Sequence, residues 1–106
     1  MNETPNFIYL NQLSDGDDDI KNKLILVLKE EFVTELNEYK ASMIIKDLLS
    51  ASEKVHKLRH KIGFFGMEKA YELSNEHEQN LKNNSDILKT KFDKILNIIY
   101  KFITIQ

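Results

Sequence analysis

Between residues 55 and 67 the chain reads Val-His-Lys-Leu-Arg-His-Lys-Ile-Gly-Phe-Phe-Gly-Met, and this stretch carries the groups best suited to chemistry. On a helix His56, Arg59 and His60 stand at i, i+3 and i+4, on a face beside the apolar positions Val55, Leu58 and Ile62. Lys57 and Lys61 flank the histidines, and Lys54 lies close by upstream. A neutral imidazole has a free lone pair that can attack phosphorus, and cations around it draw in a phosphate. Arg59 offers N–H groups whose hydrogen bonds strengthen as charge develops on a transferred group. Phosphoryl transfer asks little more of a protein than such positioning and electrostatics. The His56/His60 pair also has a metal-binding spacing. Lys57 stands where a zinc-protease helix has glutamate, however, and no third ligand is evident, so no metal is expected.

These side chains need rigid elements to hold them, and the hydrophobic pattern supplies helices. Ile20, Leu24, Val27, Leu28, Phe32, Leu36 and Tyr39 recur at steps of three and four and predict a helix over about 17–39. Lys40, Ala41 and Ser42 read as a break, with Ser42 capping a helix over 42–62 whose inner face holds Ile44, Leu48, Ala51, Val55, Leu58 and Ile62. Gly63 and Gly66 bracket a tight connection in which Phe64 and Phe65 act as core anchors. Met67, Ala70, Tyr71, Ser74 and Leu81 mark a helix over 67–82, with His77 expected on its surface. Leu88, Phe92, Ile95, Ile99, Phe102 and Ile103 mark a last helix over 85–104, capped by Asn84 or Ser85. A short helix over 6–13, carrying Phe7, Ile8, Leu10 and Leu13, would lie across one end. The expected fold is all-α: one domain, 1–106, built as an antiparallel up-down four-helix bundle with a short extra N-terminal helix.

Composition agrees and narrows the function. The only proline is Pro5 and there are three glycines, so nothing in the body of the chain breaks long helices. The absence of cysteine excludes disulfides and thiolate metal sites. A net charge of −2, from 15 basic and 17 acidic residues, argues against nucleic acid as a partner. The run Asp17-Asp18-Asp19 suits the positive end of a helix dipole and lacks the ligand spacing of a calcium loop. The longest apolar stretch, Ile95 to Ile105, is interrupted by Asn97, Lys101 and Thr104 and is too short to span a bilayer. The first twenty residues are acidic, unlike a secretion signal, so a cytoplasmic location is expected.

With His56, Leu58, Arg59 and Gly66 at positions zero, two, three and ten of one motif, the chain resembles the histidine-containing phosphotransfer (HPt) family of bacterial two-component phosphorelays. Tyr9-Leu10 and Ser14-Asp15-Gly16-Asp17 resemble the family's opening segment, and the likeness runs from about residue 7 to residue 103. The resemblance implies that His56 is the phosphoacceptor and that Arg59 stabilises charge. It also implies that Glu78, twenty-two residues beyond His56, holds the imidazole Nδ1 from the next helix and leaves Nε2 free to react. Two positions depart from the family pattern. His60 stands where glycine is usual, and Lys61 where a small hydroxyl residue is common. A bulky His60 would crowd the surface on which a partner docks.

What the resemblance implies is a phosphorelay intermediate. A receiver domain's phosphoaspartate, in a response regulator or hybrid histidine kinase, would pass its phosphoryl group to His56, and a second receiver would remove it. Such a chain is a monomeric stoichiometric carrier rather than an enzyme. It has no ATP site or cofactor of its own, the Mg2+ belonging to the receiver. Leu49, Lys57, His60, Lys61 and Gly66 would form the docking surface. The alternative is a non-phosphorylated helical adaptor that docks a receiver or a kinase through the same face. A metal-binding bundle is a third, weaker reading.

Overall fold

The structure, a computed structural model, describes residues 3–105. Five helices and no strand are found among these residues: α1 (Ile8–Ser14), α2 (Asp18–Ile44), α3 (Leu48–Phe64), α4 (Glu68–Lys82) and α5 (Lys89–Thr104). Each of α2 and α4 packs against both α3 and α5, with α3 the most heavily engaged, and α1 lies on α2. No helix among the described residues is long and apolar enough to cross a membrane.

The core follows the expected stripes along most of their length. Leu28, Phe32, Leu36 and Tyr39 from α2 meet Ala51, Val55, Leu58 and Ile62 from α3, Ala70 and Leu81 from α4, and Phe92, Ile95, Ile99 and Ile103 from α5. Phe7, just before α1, stacks on Phe102 at 4.7 Å and approaches Phe65 at 6.5 Å, so aromatic rings close one end. Phe65 is fully buried there, as expected of an anchor. The stripe expectation is wrong at its N-terminal end, where Ile20 and Val27 are half-exposed, as are Ile8 and Leu13 in α1. The reason is length. At about 1.5 Å per residue α2 reaches roughly 40 Å, whereas α3, α4 and α5 have 17, 15 and 16 residues. The first turns of α2 therefore outrun the helices that would cover them.

The α2/α3 boundary also differs from expectation. Ser42 does not cap a helix. It is buried inside α2, with its hydroxyl 3.1 Å from that of Ser50. The helix continues to Ile44, which is 80 % exposed rather than part of the core. The chain turns at Ile45 and Lys46, with Lys46 in the left-handed region at φ 58°. Asp47 is the real cap, its Oδ1 accepting the Ser50 N–H at 3.1 Å. Asp17 caps α2 similarly, its Oδ1 accepting from the Asp19 and Ile20 amides. At the other end of the chain, α5 begins at Lys89 rather than 85, with Leu88 as its N-cap position.

Two features hold the α3/α4 turn, which fixes how α3 and α4 face each other. Gly66 sits at φ +73°, where other residues are strained, and a Cβ there would lie 2.7 Å from Asn6 Oδ1 and displace that side chain. α4 has no side-chain cap of its own. Instead the carboxylate of Glu3, far away in sequence, accepts the Lys69 and Ala70 amide N–H groups at 2.7 and 2.9 Å. That charge sits at the positive end of the α4 dipole.

Candidate functional site

Val55, Leu58 and Ile62 pin one side of α3 into the core with no solvent exposure. His56 is consequently presented at the edge of that stripe, its side chain 50 % exposed. Facing it from α4, the stripe Met67, Ala70, Ser74, Leu81 turns inward and carries His77 and Glu78 inside with it. His77 is fully buried, which corrects its expected place on the surface.

Glu78 is almost buried and has a full set of partners. Its Oε1 is 3.3 Å from His56 Nδ1 and 3.3 Å from Arg59 Nη1, while its Oε2 accepts from Lys82 Nζ at 3.1 Å. Burial alone would push the carboxyl up. The Lys82 bond, the Arg59 charge and the His56 contact outweigh it and hold Glu78 below the usual carboxylate range. It is therefore an anion at neutral pH, placed against the imidazole.

Arg59 is largely covered by its neighbours. Its side chain is 13 % exposed. The guanidinium pairs with Glu78, donates to Asn75 Oδ1 and lies over the Tyr71 ring at 5.5 Å. Its Nη2 also stands 3.1 Å from His56 Nδ1. A single Nδ1 cannot donate to Glu78 and accept from Arg59 at once. The buried carboxylate decides between them: an Nδ1–H gains a charged acceptor there, and Arg59 already has two other acceptors. This tautomer leaves Nε2 of His56 unprotonated, with its lone pair available.

Next to that nitrogen lies His60. Its Nε2 is 3.4 Å from His56 Nε2, and the two rings meet edge to face at 4.9 Å between centroids. The structure thus brings His56, Arg59, His60 and Glu78 into one cluster, with Asn75 and Tyr71 as members that sequence reasoning missed. Both missed residues lie on α4, one and two turns before Glu78, a spacing that points them back toward α3.

The other expected docking residues fall elsewhere or play other parts. Lys61 turns toward α2, where Glu31 and Glu35 hold it at 3.4 and 3.3 Å, and Lys54 pairs with Glu38 at 3.2 Å. The ring of cations read from the sequence is therefore largely neutralised by the acidic face of α2. Lys57 is exposed beside that same face, near Glu30, Glu31 and Glu35. Gly66 serves the backbone turn. Leu49 is 63 % exposed two turns before His56 on the same helix and, with Ile44 and Ile45, forms an apolar patch at the α2/α3 turn.

A concavity of about 740 Å³ lies between α2 and α5 against Val33, Met43, Leu96 and Tyr100, and touches none of the cluster. Among the described residues no group of three or more His, Asp, Glu or Cys side chains converges as a metal site. Comparison of the chain with protein-family models, curated proteins and solved structures finds no match.

Proposed function

We propose that this protein is a histidine phosphotransfer carrier of the HPt kind, with His56 as phosphoacceptor, and that α2 to α5 form an up-down four-helix bundle closed at one end by α1. The connections 45–47, 65–67 and 83–88 are short and join helices that pack on each other, which favours antiparallel neighbours. The observation that carries the functional reading is the orientation of His56. A half-exposed imidazole has its Nδ1 against a buried, ionised Glu78 on the neighbouring helix, 3.3 Å away, which leaves Nε2, beside His60, unprotonated.

In this mechanism a receiver domain docks with its phosphoaspartate over α3. The Nε2 lone pair of His56 attacks phosphorus, the bond from phosphorus to the aspartyl oxygen breaks, and the aspartate leaves as carboxylate. No proton need move, because Nδ1 keeps its hydrogen on Glu78 and the cationic phospho-imidazole is balanced by that carboxylate. Arg59 fixes Glu78 and borders the transferred group, and Mg2+ comes with the receiver. A second receiver reverses the step. The chain acts stoichiometrically, as a monomer in the cytoplasm. Leu49 and the surface around His60 meet the partner, and no nucleic acid or membrane is involved.

One observation favours a second reading. His60 occupies the approach to His56 Nε2 and hydrogen-bonds with that atom, which suits a docking adaptor that accepts no phosphate. His56→Gln separates the two. Loss of acid-labile labelling by a phosphorylated receiver, with receiver binding retained, supports the carrier. Unlabelled wild type that binds receivers as well as His56→Gln does supports the adaptor. His60→Gly tests the crowding itself: transfer holds or quickens if His60 only obstructs the approach.

A further inference from the structure

The nitrogen that would take the phosphoryl group has another ligand that fits it. We propose that His56 and His60 form a two-histidine site for a borderline divalent ion of the Zn2+ class, bound through both Nε2 atoms at the exposed face of α3. A tetrahedral ion about 2.0–2.1 Å from each of two imidazole nitrogens holds those nitrogens about 3.3 Å apart. The two Nε2 atoms already stand at 3.4 Å, without any rotamer change. Their i, i+4 spacing on a helix keeps them there, since α3 is anchored by Val55, Leu58 and Ile62 beneath.

A second feature points the same way. Metal-bound imidazoles characteristically give their other ring N–H to a carboxylate, which fixes the tautomer and strengthens the ligand. His56 Nδ1 faces Glu78 Oε1 at 3.3 Å in that arrangement. The electrostatics also permit a dication, because Arg59, Lys54 and Lys61 are each paired with carboxylates. Solvent completes the coordination, as both rings lie open to it. Imidazole pairs select Cu2+ and Zn2+ over hard, oxygen-seeking Mg2+. The Mg2+ used in phosphoryl transfer therefore does not compete for the site.

The consequence rests on the carrier reading: an ion on His56 Nε2 occupies the lone pair that must attack phosphorus, so Zn2+ blocks phosphorylation. His60, the residue standing in place of a small one, is what makes the block possible.

The test titrates the full chain with ZnCl2 by calorimetry and follows the imidazole nitrogens by NMR. One ion per chain is expected, shifting both Nε2 signals of His56 and His60 and leaving buried His77 unmoved. His60→Gln, confirmed as folded by circular dichroism, should weaken binding by roughly tenfold or more. Affinity unchanged in that variant, absence of saturable binding, or displacement of the ion by Mg2+ would each overturn the site. Phosphorylation assays then separate the two proposals. Zinc should suppress labelling of the wild type, whereas labelling of His60→Gln, measured against that variant's own zinc-free rate, should be insensitive to the same zinc concentration. Labelling undiminished at saturating zinc refutes occupancy of Nε2. Zinc bound as described, with no labelling even in its absence, removes the carrier role and leaves the metal site standing.

Discussion

Lowering the pH from about 8 to about 5 drives a proton toward His77, which has no solvent exposure. Its Nε2 meets the Tyr39 hydroxyl at 2.9 Å, its ring lies 4.9 Å from that of Phe92, and its Nδ1 is buried without a partner. Burial lowers its pKa from 6.5 to about 4, opposed by the charges of Asp93 and Asp86 and aided slightly by that of Lys89. The unfolded chain takes up this proton first, so the stabilisation is complete above pH 6.5. It is lost as the pH falls from 6.5 to about 4 and changes no further below that. Each pH unit between the two values is worth about 1.4 kcal/mol, giving about 3 kcal/mol in all and about 2 kcal/mol by pH 5. Urea unfolding followed by circular dichroism, repeated across this range, measures the loss. The variant His77→Phe with Tyr39→Phe removes the titrating ring and the hydroxyl together. Each contact between those two groups leaves one N–H or O–H unpaired, so the double replacement should cost little at neutral pH. Its stability should not show the steep fall between pH 6.5 and 5. Parallel losses in wild type and variant would refute this assignment and move the acid sensitivity to other groups.

Other expectations follow from the same geometry. Glu3→Ala removes the cap of α4 and should cost about 1 kcal/mol in urea unfolding, although the residue lies outside every helix. At two of the left-handed positions, Lys46 and Gly66, the effects have opposite sign. Lys46→Gly should stabilise by about 1 kcal/mol, whereas Gly66→Ala should destabilise by about 1–3 kcal/mol because its Cβ meets the Asn6 side chain that caps α1. Glu78→Gln keeps the shape but not the charge, and should slow phosphoryl uptake by roughly 10- to 100-fold while receiver binding, measured separately, holds.

Much of this architecture is legible in the residues. Helices α3 and α5 carry apolar positions at steps of three and four, and from Ala51 to Ile62 and from Phe92 to Ile103 the core they build follows the expected positions. The α2/α3 boundary was not legible, because Ser42 looks like a cap while the true turn places a lysine at positive φ, a conformation that residue type does not announce. The inward stripe of α4 could have been followed further. Ser74 to Leu81 in steps of three and four passes through His77 and Glu78, and their polarity hid their burial. Glu3 capping α4 spans most of the chain and leaves no local signal. At the site, the helical offset of His56, Arg59 and His60 was readable. The confinement of Arg59 by Asn75, Tyr71 and Glu78 depends on the register between α3 and α4, which only packing defines.

A phosphotransfer carrier requires His56 Nε2 to accept a phosphoryl group. Incubation with a phosphorylated receiver domain and Mg2+, then mass spectrometry of intact and digested protein with phosphorus NMR to identify the nitrogen, tests it most directly. One acid-labile phosphate on Nε2 of His56 is the predicted result. A folded chain that takes no phosphate from a panel of receivers, or takes it on His60 instead, would contradict it.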